Sequence, residues 1–368
     1  MSLSKRAIPR RFLRRSKPER SELRSRALSL EADGRVRDAI SAWNALNRIE
    51  ADPWIETHLV DLRCDPNNVD TDEQIRSEAG GKGLEPWPRL LPDPFPDVSN
   101  RPPEIPADEL SMEVLGGAIL HHGSLLVRGL IPRDAVEELR ATIDRAFAGR
   151  QGHVEGVPTD QTAPWYVPCA PWDAAEPTAA KAIRNFNDTC TAVHAVDSPR
   201  ALFQIFEALG RTNVLDVIDQ YLGEHALLSI RKTMLRRVPP DAKPSFHQDG
   251  TFMGLATRAV DIWLALSECG EGADAPGLAI LPKRLHESAR PNATGPLIPL
   301  NPDELEAVAD GTPVVRPHCY PGDALLFDEL CLHANGGDRP GLTRHRYAVE
   351  AWLFALSAVP ADYLPILV

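Results

Sequence analysis

Two short stretches carry residues whose types and spacing suit metal chemistry. The first is Ser245-Phe246-His247-Gln248-Asp249; the second, Leu332-His333-Ala334-Asn335-Gly336, lies far downstream. Side chains of an extended strand alternate between faces, so His247 and Asp249 share one face and Gln248 takes the other. One imidazole and one carboxylate on the same face make half a metal site, and His333 from a distant strand would complete it. Two histidines and one carboxylate leave three coordination positions open, an arrangement suited to non-haem Fe(II) and oxygen chemistry. An HxD triplet is common by chance, so the elements around it decide its meaning.

Those elements belong to an ordinary globular composition. The chain has 368 residues, 43% hydrophobic and 25% charged, which allows one large domain or two. A net charge of -12 argues against general nucleic-acid binding. No apolar run approaches the roughly 18 residues of a membrane helix. The six cysteines form no CxxC pair and fit a reducing cytoplasm as buried packing residues. Residues 1–28 hold ten Lys/Arg against two Glu and lack the apolar core of a secretory signal, so residues 1–20 read as a basic disordered tail.

Along the chain, residues 21–63 have helical spacing, with Gly34 where two helices would turn. The run Gly34 to Trp43, with Leu46 and Pro53, resembles half of a tetratricopeptide repeat. This predicts a helical hairpin, a candidate surface for a protein partner or self-association. Trp43 and Trp54 are expected to pack. Residues 64–104 form a Pro/Gly-rich linker, because their prolines forbid long helices and central strands. From 105 onward, helices are expected at Asp108–Leu120, Pro132–Phe147, Pro199–Leu209 and Asn213–Leu222. Strands are expected at Ser124–Ile131, Ala226–Val238, Arg258–Leu266, Gly277–Pro282, Val314–Arg316, Ala324–Asp328 and Arg346–Phe354. Residues 151–196 read as less regular. A helical first part followed by many short strands predicts an α+β fold whose strands close into a barrel or sandwich.

Residues 105–355 resemble the phytanoyl-CoA dioxygenase family of Fe(II)/2-oxoglutarate-dependent oxygenases. The resemblance runs through Ser124–Pro132, Lys232-Thr233-Met234-Leu235, Pro239-Pro240-Asp241, His247-Gln248-Asp249, Trp263–Leu266, Gly277–Pro282 and Pro321-Gly322-Asp323-Ala324. It implies a double-stranded β-helix (jelly-roll) core flanked by helices. It implies Fe(II) on His247, Asp249 and His333, with 2-oxoglutarate and O2 as co-substrates. The activity implied is hydroxylation of an unactivated C–H of a small molecule, releasing succinate and CO2. The far carboxylate of 2-oxoglutarate would need an arginine. Arg346 is preferred because it fits the Arg-x-Ala-hydrophobic opening of the family strand; Arg344, which spacing from His333 favours, is the alternative. Met234, Trp263 and Asn335 match positions that line the co-substrate. Asp249 stands where related halogenases carry a small residue, which implies hydroxylation. The chain departs from the family at Pro282-Lys283-Arg284-Leu285-His286, where a Gly-Ser-His signature is usual.

Two other readings compete. One is a non-catalytic interaction protein, a degenerate barrel beside a helical partner-binding arm, which an intact His/Asp/His set disfavours. The other is a cupin-like isomerase or zinc enzyme, which has no use for an arginine after His333.

Overall fold

The structure, a computed structural model, describes residues 20–71, 87–189, 191–254, 257–290, 299–337, 339–360 and 362–368. The expected basic tail falls outside these residues except for Arg20, and Cys190 falls outside them too. The chain divides into two compact units, 1–51 and 52–368.

In the smaller unit, α1 (Arg20–Ala32) and α2 (Val36–Ile49) pack on each other. Gly34 between them sits at φ +72°, a left-handed turn position that glycine tolerates without strain. Leu23, Ala27 and Leu30 of α1 are buried, as are Ala39, Ile40, Trp43 and Leu46 of α2. The expected hairpin over 21–63 is shorter than its sequence suggested. The third helix, α3 (Pro53–Cys64), belongs to the larger unit. Pro53 cannot continue α2, and the Asp52 carboxylate caps a new helix by accepting from the Trp54 N–H at 2.9 Å. Trp43 is fully buried, but Trp54 is half exposed and stacks on His58.

The larger unit is mixed α+β around a sheet core. After α4 (Pro66–Thr71), its described residues from 87 to 103 contain no helix or strand. Its strands are β1 (Glu104–Pro106), β2 (Ser124–Arg128), β3 (Ala192–His194), β4 (Ala226–Val238), β5 (Ala259–Ala265), β6 (Gly277–Ile280), β7 (Ala324–Asp328), β8 (His333–Gly336), β9 (Arg346–Ala355) and β10 (Pro365–Ile366). One sheet runs β1-β2-β7-β5-β9-β4-β10, with β3 also paired to β4; a second sheet is β6-β8. Single bridges extend the small sheet at His247–His333 and Ile280–Val315. The strand expected at Val314–Arg316 is no more than that second bridge, and the region expected to be least regular holds helices. These are α7 (Thr159–Thr162), α8 (Ala170–Ala175) and α9 (Pro177–Thr189), between α6 (Arg133–Val154) and β3. Pro177, followed by Thr178-Ala179-Ala180-Lys181-Ala182, supplies a helix start and strong helix formers that the surrounding prolines mask.

Alternation splits the large sheet into two faces. Val260, Ile262 and Leu264 of β5 and Val349, Ala351 and Leu353 of β9 pack against Leu115 and Ile119 of α5 (Met112–His122), Leu139 and Ile143 of α6, Ile205 of α10 (Pro199–Leu209) and Ile218 of α11 (Val214–Leu222). The opposite face sets Trp263, Leu325, Phe327, Ala348, Trp352 and Phe354 against Leu278 and Ile280 of β6. Each such large side chain contributes about 1.5–3 kcal/mol on burial. The interior between the sheets is therefore apolar except where specific polar residues enter it. β4 brings in several of them through an irregularity: its register against β9 shifts between Leu228 and Thr233. Leu228 before the shift and Ile230 within it face the helices; after it, Leu235 does. The shift exchanges the faces, so Met234 and Arg236 join Glu350 on the interior side.

Candidate metal centre

His247 and His333 are direct cross-strand neighbours. Each donates its backbone N–H to the other's carbonyl at 3.0 Å, and their ring centroids lie 4.5 Å apart. Asp249 does not sit in a strand, as simple alternation suggested. It has helical φ/ψ of -63° and -31° and stands at the head of a single helical turn, α12 (Gly250–Met253). That turn swings its carboxylate back to within 3.6 Å of the His247 Nε2. One donor atom from each of His247, Asp249 and His333 lies within 4.8 Å of the others, the one such grouping of metal-binding side chains among the described residues.

The ligand tautomers are set by the backbone. His247 Nδ1 lies 2.6 Å from the Ser245 carbonyl and His333 Nδ1 lies 3.1 Å from that of Cys331. A carbonyl can only accept, so each Nδ1 carries the proton and each Nε2 keeps its lone pair for a metal. Burial, with His247 beside it, pushes His333 down to about 4, so its imidazole is neutral near pH 7. Burial alone would raise the Asp249 carboxyl. The Lys232 ammonium, 2.9 Å from its Oδ2, outweighs that and holds it well below the usual carboxylate range. Lys232 is itself held between the rings of Phe252 and Trp352, at 4.8 and 5.4 Å.

The two arginine candidates separate cleanly. Arg344 is exposed. Arg346 is fully buried and projects into the interior, where its guanidinium donates to the Gly277 carbonyl at 2.8 Å and to Asn335 Oδ1 at 2.9 Å. Burial pushes it down to about 10, which leaves it cationic at neutral pH. Its Nε and the indole Nε1 of Trp263 are buried without a partner, and its Cζ lies 5.3 Å from the Trp263 ring centre. Met234 and Trp263 flank Glu350 in register across β4, β9 and β5. Met234 also takes a 3.7 Å contact from the Asn187 amide. Met234, Trp263, Asn335 and Arg346 thus line the same inter-sheet interior as the three candidate ligands.

Several interior residues escaped the sequence reading. Arg236 pairs bidentately with Glu350 at 2.9 Å. Asp261, raised well above the carboxylate range by burial and by Glu350, accepts from the Ala351 N–H at 3.1 Å. Lys232 neutralises Asp249, and Arg236 neutralises Glu350, but both hydrogen-bond acceptors of Arg346 are uncharged. Charged residues inside otherwise apolar strands were the available signal, masked for β4 by its register shift. The departure at 282–286 also has a structural reason. Arg284 forms a buried pair with Asp328 at 2.7 Å, and Lys283 donates to the Ala309 carbonyl at 2.9 Å.

Comparisons with known proteins follow the same lines. Among curated proteins no sequence matches. Of the solved structures, AviO1 from Streptomyces viridochromogenes Tue57 is 15% identical and covers 66% of this chain and 94% of its own, with a TM-score of 0.42. EctD from S. alaskensis, solved with 2-oxoglutarate and 5-hydroxyectoine, is 18% identical and covers 65% and 74%, with a TM-score of 0.40. Likenesses at that level carry no argument for fold or activity. The sequence family does: residues 119–345, more than half of the chain, match the model of the phytanoyl-CoA dioxygenase (PhyH) family, and the chain belongs to that family.

Proposed function

We propose that the protein is an Fe(II)- and 2-oxoglutarate-dependent dioxygenase that hydroxylates an unactivated C–H of a small molecule. The observation that carries this reading is the convergence of His247, Asp249 and His333 within 4.8 Å, with both imidazole Nε2 atoms free to ligate. The donor set fits Fe(II), because three protein donors on one side leave positions for a bidentate co-substrate and for O2. Bound Fe(II) with 2-oxoglutarate supplies the oxidising power for oxygen insertion, and the co-substrate leaves as succinate and CO2.

The chain's own residues supply position and electrostatics. Arg346 is a buried cation with two uncharged partners, and its Nε–H has none, like the nearby indole N–H of Trp263. Buried donors without partners are costly, and a carboxylate placed there satisfies both. This favours Arg346 over the exposed Arg344 as the partner of the far carboxylate of 2-oxoglutarate. Asn335 keeps the guanidinium in plane, and Met234 and Trp263 form the walls. Lys232 stabilises the charge of Asp249 and so keeps it ionised as a ligand. Because a carboxylate occupies that ligand position, we read the outcome as hydroxylation. We read the two facing sheets as the two walls of a double-stranded β-helix.

The test is O2 uptake and succinate release by the purified protein loaded anaerobically with Fe(II), with and without 2-oxoglutarate, followed by mass-spectrometric screening of metabolites for a gain of one oxygen atom. Stoichiometric Fe(II) binding and 2-oxoglutarate-dependent succinate formation are expected, both lost in Asp249→Ala. A protein that binds neither Fe(II) nor 2-oxoglutarate would refute the assignment.

A further inference from the structure

Gln248 stands between two of the candidate ligands and faces away from them, and it is only 2% exposed. Its amide is fully used. Nε2 donates to the Leu330 carbonyl at 2.8 Å and, more weakly, to the Glu287 carbonyl at 3.3 Å, while Oε1 accepts from the Ala289 N–H at 2.7 Å. Only one orientation of the amide works, since the flipped form would set an NH2 against an N–H and an oxygen against two carbonyls. The site demands two donors and one acceptor on one planar group, and glutamine is the side chain of that length that provides them.

The three partners belong to segments with different roles. Leu330 lies three residues before His333. Glu287 and Ala289 lie directly after Pro282–His286, the stretch where this chain departs from the usual family sequence. Two further contacts tie the same pieces together: Gly250 N–H donates to the Glu329 carbonyl at 2.8 Å, and the Thr251 and Ser288 hydroxyls are 3.3 Å apart. The Gln248 amide is thus the node at which the segment bearing His247 and Asp249, the approach to His333, and the 287–290 segment meet.

We propose that Gln248 is a positioning residue that couples metal occupancy at His247, Asp249 and His333 to the order of residues 287–290. The inference rests on the metal reading given above. Metal binding fixes both ligand-bearing segments, which fixes the two ends of the amide's hydrogen bonds and so holds Ala289. Coupling of this kind is reciprocal, so loss of the 287–290 contacts must weaken metal binding by the same factor. Outer contacts that orient metal ligands are worth about 10–100-fold in affinity.

The experiment uses Co(II), which is stable to oxygen in this setting and reports its ligand field by visible absorption, on the full chain. In the wild type, Co(II) should bind stoichiometrically and slow hydrogen exchange at the Ala289 amide about tenfold or more. Gln248→Glu keeps the shape but sets a carboxylate against two carbonyls; Gln248→Met keeps the length without any hydrogen bond or charge, in case the first variant folds poorly. Both should weaken Co(II) binding at least about tenfold, alter its visible spectrum, and abolish the metal effect on Ala289 exchange. Ile218→Val, a core truncation in α11 that makes none of the amide's contacts, controls for lost stability and should change none of these. If the wild type binds no Co(II), the metal reading fails and this inference with it. If it binds Co(II) normally and either folded Gln248 variant keeps wild-type affinity and metal-dependent Ala289 protection, this inference alone fails.

Discussion

At the scale of single residues, the interior between the two sheets leaves selected atoms unsatisfied. Arg346 and Trp263 each keep a buried N–H without a partner, whereas Arg236 is matched bidentately by Glu350. On the proposed function, the difference separates a structural arginine from the one that would take the co-substrate carboxylate. Arg346→Gln should raise the KM for 2-oxoglutarate at least about 30-fold, since removing one member of a buried charge pair costs roughly 2 kcal/mol or more. Arg344→Gln should leave it within about twofold of wild type, because an exposed ion contributes little. Initial-rate succinate assays on the two variants read this directly. Equal effects from both substitutions would contradict the placement of the co-substrate carboxylate.

At the scale of elements, the parts that carry the ligands are short, and polar ties between segments hold them. His247 joins the small sheet through one bridge, and Asp249 heads a helix of four residues. Neither has the length to be stable alone, so neighbouring segments must fix them. Arg284 and Asp328 contribute such a tie, with side chains 4% and 0% exposed. Arg284→Met strands the Asp328 carboxylate and should destabilise the fold by about 3–5 kcal/mol. The double variant Arg284→Met/Asp328→Leu should recover most of that loss, since a hydrophobic replacement of a buried pair is often neutral. Urea unfolding of the two singles and the double closes the cycle; additive losses would show that the pair makes no joint contribution.

For the molecule as a whole, buried carboxyls shape the pH dependence of stability. Burial, assisted by the charge of Asp328, pushes Glu329 up to about 8 from an ordinary value of 4.5. The folded state therefore holds a proton that the unfolded chain releases above 4.5, and the stability this group contributes falls as pH rises, until it is lost near pH 8. Glu329→Gln removes the titration. Relative to wild type, the variant should gain stability progressively between about pH 4.5 and 8, by up to a few kcal/mol, and be level on either side. Chemical denaturation of both proteins across this range measures the difference. A difference independent of pH would mean that Glu329 ionises normally in the fold. No helix among the described residues is long and apolar enough to cross a membrane.

The sequence by itself determined the long elements and marked out the candidate donor set. β4 and the helix Pro199–Leu209 begin and end where the pattern of residues placed them, because alternation, helical spacing and flanking prolines are local properties. His247, Asp249 and His333 were legible as a set because few other chemistries use that donor combination. What the tertiary structure decided was orientation. Arg344 and Arg346 share strand parity, so alternation does not separate them; motif favoured Arg346 and spacing Arg344, and in the fold one ends in solvent and the other in the core. The register shift in β4 turns Met234 and Arg236 inward against the parity of Leu228 and Ile230, and it arises from pairing with β9, over a hundred residues away. Asp249 reaches His247 through a helical turn, not strand alternation. Side-chain direction depends on partners remote in sequence, and a linear pattern holds no record of which strands will meet or in what register.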